Sequence, residues 1–159
     1  MAGAFKTKRS AREKLDAPQE RRLVDIPAKD VHRFGPGKML IPCPRDIDAA
    51  IREIKRGKLL TTQELRDELA RRHGAQTACP LVTGIFVRVC AEAAEEDRSA
   101  GKKRIAPYWR VVREDGGLLE KIPGGAEAQA QYLQAEGHTI EGKPGKGAAR
   151  LRVAGFRSR

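Results

Sequence analysis

The sequence predicts a mostly α fold with a small β wing, built on a helix-turn-helix. Three observations carry this expectation. Apolar residues recur at helical spacing in three separate windows between Asp46 and Glu96. Two of those windows lie end to end, and small residues, Thr83 and Gly84, open the second. A short β-prone run, Trp109-Arg110-Val111-Val112, is followed by the turn signal Glu114-Asp115-Gly116-Gly117 and by Leu118-Leu119.

Taken in order, the first 40 residues read as a basic, partly disordered N-terminal arm. Lys6, Lys8, Arg9, Arg12, Lys14, Arg21 and Arg22 sit among few apolar residues, so burial offers little to offset ordering entropy. A short helix is expected near Ala11–Leu15. Arg33-Phe34-Gly35-Pro36-Gly37 is a turn before Met39-Leu40-Ile41. The globular domain is expected over 41–140. Asp46 is placed as the cap of a helix with Ile47, Ile51 and Ile54 on one face, and Gly57 as its stop. Thr61 and Glu64 have the spacing of a capping box, and Leu65 and Leu69 follow on one face until His73-Gly74. Pro80 suits the first turn of the next helix. That helix is expected to carry Leu81, Val82, Ile85, Phe86, Val89 and Cys90 inward and to fade at Ser99-Ala100-Gly101. The run Ala93-Ala94-Glu95-Glu96-Asp97 reads as an acidic helix end turned away from DNA. Trp109–Val112 and Leu118-Leu119 are expected to form the hairpin wing. Ala126–Glu136 forms the last helix, with Ala130, Tyr132 and Leu133 inward and Gly137 at its end. Residues 141–159 form a basic tail in which Leu151 and Val153 mark a short edge strand.

Lys and Arg number 32 against 21 Asp and Glu, a net charge of +11. Such an excess points to a polyanionic partner, nucleic acid before an anionic membrane surface. No stretch of eighteen apolar residues or secretory h-region is present, so a cytoplasmic chain is expected, nucleoid-associated if bacterial. The three cysteines, Cys43, Cys79 and Cys90, form no CxxC pair. They predict neither a disulfide framework nor a metal site. No cofactor is expected, and a monomer is.

Ile105-Ala106-Pro107-Tyr108-Trp109-Arg110-Val111-Val112 resembles the active-site region of the O6-alkylguanine-DNA alkyltransferases, whose motif reads Pro-Cys-His-Arg-Val. Asp115-Gly116, Leu118, Gly124-Gly125, Gln129, Leu133 and Glu136-Gly137-His138 follow in that family's order. Gly57-Lys58-Leu59-Leu60-Thr61-Thr62 resembles its Gly-Arg-Val-Thr-Thr-Tyr-Gly helix start. The resemblance spans roughly residues 40–140. It implies a winged-helix-like domain of the alkyltransferase C-terminal type, which enters the DNA minor groove with the second helix of its helix-turn-helix. It also implies flipping of a damaged guanine into a pocket, where a cysteine takes the alkyl group.

The match departs where that chemistry lies. Tyr108 stands at the nucleophile and Trp109 at the histidine, while Glu136 matches the orienting carboxylate. Thr62 falls at the family's tyrosine and Pro80 near its base-replacing arginine. A phenol beside an indole is no alkyl acceptor, so no catalytic residue is expected. The resemblance is to the alkyltransferase-like branch, which lacks the cysteine and binds alkylated DNA. The expected DNA contacts are Thr61, Thr62, Val82, Thr83, Arg88 and Arg110, and the expected base pocket is Tyr108, Trp109 and Glu136. The expected partner is double-stranded DNA, with other repair proteins as candidates. Two alternatives stay open: an alkyltransferase using a relocated cysteine, Cys79, at a helix start, and a general nucleic-acid-binding module without lesion specificity.

Overall fold

In a computed structural model, which describes residues 9–145 and 150–157, helices dominate and the strands form small sheets. The expected basic-arm residues Lys6 and Lys8 and the tail residues Lys146 and Arg159 lie outside the described residues.

The arm is not what its composition suggests, because residues 9–41 are built into the core. Ser10 and Glu13 form a reciprocal capping box at the start of helix α1 (Ala11–Asp16), and Ala11 and Leu15 are buried. Strand β1 (Arg22–Asp25) pairs antiparallel with β2 (Lys38–Ile41), across the one-turn helix α2 (Val31–Phe34). Two acids of a distant helix make the arm dock. The carboxylate of Glu96 accepts hydrogen bonds from the backbone N–H of Ala11 and Arg12, at 2.7 and 2.9 Å. It thus supplies partners to donors that a helix start leaves free. Arg12 reaches the buried Asp97 at 3.0 Å. Within the run expected as a helix end turned away from DNA, Glu96 and Asp97 are therefore the receptor for α1.

Helix α3 (Pro44–Arg52) starts one turn earlier than its expected cap. Asp46 sits at its third position, and its carboxylate accepts the Cys43 N–H at 3.2 Å. Ile47 and Ile51 are fully buried. Strand β3 (Leu60–Thr61) leads into α4 (Thr62–Arg72), where Thr61 and Glu64 make the capping box the sequence spells. The link to the next helix is more than a turn. Strand β4 (Thr77–Ala78) runs parallel to β2, giving a sheet of order β1-β2-β4. The arm is thereby stitched to the segment that follows α4.

Helix α5 (Pro80–Ser99) has Pro80 in its first turn. Its inward face is Thr83, Val87, Cys90, Ala91, Ala94 and Asp97. Leu81 and Ile85, expected inside, are 71% and 50% exposed. The first half of α5 is apolar nearly all round, so periodicity alone did not fix its phase.

Among the described residues, Trp109–Val112 and Leu118-Leu119 do not pair as the expected hairpin. Tyr108–Arg110 is a 3-10 turn, and β5 (Val111–Val112) pairs parallel with β3, Leu60 opposite Val111. The reason is where the returning backbone sends its donors. Leu119 N–H goes to Gln129 Oε1 at 2.6 Å, and Leu118 N–H to Leu151 O at 3.0 Å. Gln129, fully buried in helix α6 (Gly125–Ala135), also donates to the carbonyls of Trp109 and Val111 at 3.0 and 2.8 Å. One side chain thus replaces a strand's worth of pairing. Between the two segments Gly116 turns at φ 81°, with the Phe156 ring 2.6 Å from where a Cβ would stand. Only glycine meets both conditions. Strand β6 (Ile140–Glu141) closes the chain by pairing antiparallel with β7 (Arg152–Val153).

Candidate functional site

Two clusters contain the expected site residues, and they lie apart. The first surrounds Tyr108, whose ring is fully buried. It packs edge-on to Trp109 at 5.4 Å and to Tyr132 at 6.1 Å, and Trp109 stacks on Tyr132 at 4.2 Å. The phenols of Tyr108 and Tyr132 both donate to Glu95 Oε1, at 2.7 and 2.6 Å. Burial and the Glu95 carboxylate push the Tyr108 pKa well above the ordinary phenol range and that of Tyr132 to about 12. Burial works against the charge on Glu95, yet the two phenols and Arg98 hold its carboxyl below the usual value.

The expected base pocket is therefore filled by its own side chains: Tyr108 has no exposed surface with which to meet a base. Trp109 is 9% exposed, and its Nε1 is buried on the side of the Glu136 carboxylate, whose pKa it helps to lower. Glu136 does not reach Tyr108. It takes a two-pronged ion pair from Arg110, with Arg110 Nη2 at 2.7 Å and Nε at 2.9 Å. Arg110 Nη1 donates to Ile54 O at 2.5 Å. The guanidinium outweighs the cost of burying Glu136 and holds its pKa below the ordinary value. Arg110, expected on DNA, is an internal strut with a side chain 13% exposed. Thr61, also expected there, is a buried helix cap.

The second cluster is a groove of about 510 Å³ on the outer face of α4 and α5. Thr62, Thr83 and Arg88 belong to it, together with residues that motif reading missed: Arg33, Arg66, Arg113, Leu119, Lys121 and Ile122. Helix α4 supplies Thr62 and Arg66, which share a face because they are four residues apart. The first turns of α5 supply the exposed Leu81 and Ile85. A Cβ at Gly84 would meet nothing within 4 Å, so bare backbone is open between them. The turn after β5 brings Arg113, and the chain leading to α6 brings the far wall. Five cations and one acid, Glu120, line this groove. Glu114 ties the two walls: it accepts from Thr62 Oγ1 at 2.5 Å and from Gln63 N–H at 3.1 Å. Val82 is half-buried beside the groove and does not line it. Arg88 is exposed and held by Glu92 at 2.9 Å. Cys79, the N-cap of α5, is half-buried, while Cys43 and Cys90 are buried.

Two signals could have found the missed residues: the four-residue spacing of Thr62 and Arg66, and the phase of α5. Arg33 and Lys121 had none, because they reach the groove only through tertiary folding. Among the described residues no helix is long and apolar enough to cross a membrane. No family model, curated protein or solved structure matches the chain.

Proposed function

We propose that the chain is a non-enzymatic DNA-binding protein of the alkyltransferase-like kind, which meets duplex DNA with the outer face of α5 and senses alkylated or distorted sites. One observation carries this reading: the start of α5 exposes Leu81 and Ile85 beside a groove lined by five cations and one acid. Cations neutralise phosphate, and exposed apolar side chains wedge against bases that the duplex has partly unstacked. The chain's net charge of +11 acts in the same direction.

The non-enzymatic part rests on Tyr108. Its phenol is buried, bonded to Glu95 and kept protonated, with an indole in place of a base. A nucleophile must be reachable and easily deprotonated, whereas this phenol has no exposed surface and its pKa is raised by burial. The test is incubation with duplex DNA bearing O6-methylguanine, followed by intact-mass measurement and by fluorescence anisotropy. The expected outcome is unchanged mass, with tighter binding to the alkylated duplex than to its unmodified twin. A stoichiometric gain of one methyl group would overturn the reading in favour of an acceptor such as Cys79. Equal affinity for both duplexes would favour a general nucleic-acid-binding module.

A further inference from the structure

Three buried polar atoms without a hydrogen-bond partner belong to residues of the same groove: Arg66 Nη1, Thr83 Oγ1 and Arg113 Nε. Such orphans are costly, since each has lost water and gained nothing in return. Arg66 is 7% exposed and Thr83 1%. The sole hydrogen bond of the Arg66 side chain is from Nη2 to Gln63 Oε1, a neutral acceptor. Burial lowers the Arg66 pKa from the ordinary guanidinium value, and the nearby Glu114 carboxylate offsets only part of this. Arg113 makes no ion pair among the described residues, although Glu114 and Asp115 follow it in sequence: Glu114 is taken by Thr62 and Gln63, Asp115 by Arg150. Two arginines and a threonine that line one groove therefore each hold a buried polar atom without a partner, and neither guanidinium has an ion-paired carboxylate among the described residues. A carboxylate could have filled this role from within the chain, and Glu120 of the opposite wall makes no bond to any of the three.

We infer that this part of the groove is an oxyanion receptor, in which Arg66, Arg113 and Thr83 take a phosphate group. The inference rests on the DNA reading only for the phosphate's source, a nucleic-acid backbone rather than a free phosphate. Guanidinium donors match phosphate oxygens in geometry and charge, and a threonine hydroxyl completes the set. A neutral base would leave both arginines uncompensated. A phosphate satisfies them.

The test uses the full chain and follows the arginine Nε–H resonances by NMR at constant ionic strength. Inorganic phosphate is titrated first, then an unmodified DNA duplex. The expected result is a saturable shift of Arg66 and Arg113 with phosphate, its affinity weakened roughly tenfold or more in Arg113→Gln, read at Arg66, and in Thr83→Val, read at Arg113, the loss of one charge-assisted hydrogen bond in each. Thr83→Val also separates ligand binding from structure, because removing an unpartnered hydroxyl leaves the melting temperature unchanged or raises it. Absence of a saturable shift with phosphate, or a shift that Thr83→Val leaves intact, overturns the receptor. If the duplex moves the same resonances, the phosphate is the nucleic acid's. If phosphate binds and the duplex does not bind at all, the receptor stands and the DNA reading falls. If the duplex binds without moving Arg113, the receptor serves a free phosphate and the nucleic-acid source is overturned.

Discussion

Arg110 and Glu136 show how a motif residue can keep its identity and serve the fold. Their ion pair is two-pronged, its side chains are 13% and 5% exposed, and Arg110 also holds the Ile54 carbonyl. Removing one partner leaves a buried charge unmatched, which costs about 3–5 kcal/mol. Glu136→Gln should therefore lower the melting temperature by roughly 10 °C, and a calorimetric scan checks it. A shift of less than a degree or two would show the pair to be superficial. In sequence Arg110 reads first as structural, with a phosphate contact as the other role, and Glu136 as a specific hydrogen-bond acceptor. Glu136 was expected beside Tyr108 or Trp109; its ion-pair partner is Arg110, the residue after them in the motif, with Trp109 also helping to hold its carboxyl down. Nothing in a linear motif tells which of three adjacent side chains turns toward a helix end. That choice is made by the 3-10 turn at Tyr108–Arg110.

Among the elements, helices were legible and their phases less so. The capping box at Thr61 and Glu64 and the proline start of α5 were readable, because caps are local chemistry. The inward face of α5 was not, since Leu81, Ile85, Val87 and Cys90 offer two apolar faces and only packing selects one. The wing failed because Gln129 and Leu151 take the donors of residues 118–119, contacts distant in sequence. The arm failed for a related reason. Its few apolar residues looked too sparse to fold, but Glu96 and Asp97 of α5 supply the partners that α1 needs. Leu15 is 1% exposed at that junction. Leu15→Ala should cost about 2–5 kcal/mol, read from urea unfolding. Limited proteolysis should then cut first before residue 22. An unchanged midpoint would mean that α1 contributes nothing to the core.

For the whole molecule, charge ties stability to pH. The carboxyls of Glu95 and Glu136 lie below their ordinary value of 4.5 in the fold. A depressed carboxyl stabilises above its unfolded pKa, and the contribution is lost as pH falls through the folded value. Tyr108 and Tyr132 are raised above 10.0, so their contribution is present below that pH and lost as pH rises further. The melting temperature should thus be level between about pH 5 and 9, within the window these values bound. It should fall on either side, most steeply below pH 4. A flat profile down to pH 3 would contradict the hydrogen bonds that hold both carboxyls below their ordinary value.

The net charge of +11 alone would make any face of this protein cling weakly to DNA. What distinguishes the α5 face is the apolar pair Leu81 and Ile85 at the rim of a basic groove. Ile85 is half exposed, so Ile85→Glu should fold with an unchanged melting temperature. The measurement is duplex binding by fluorescence anisotropy at about 0.15 M salt, near the physiological range where distant charges are screened. The account predicts that Ile85→Glu binds at least roughly tenfold more weakly than the unaltered chain, a like-charge penalty placed at the contact itself. An affinity equal to that of a glutamate placed on the opposite surface would contradict it.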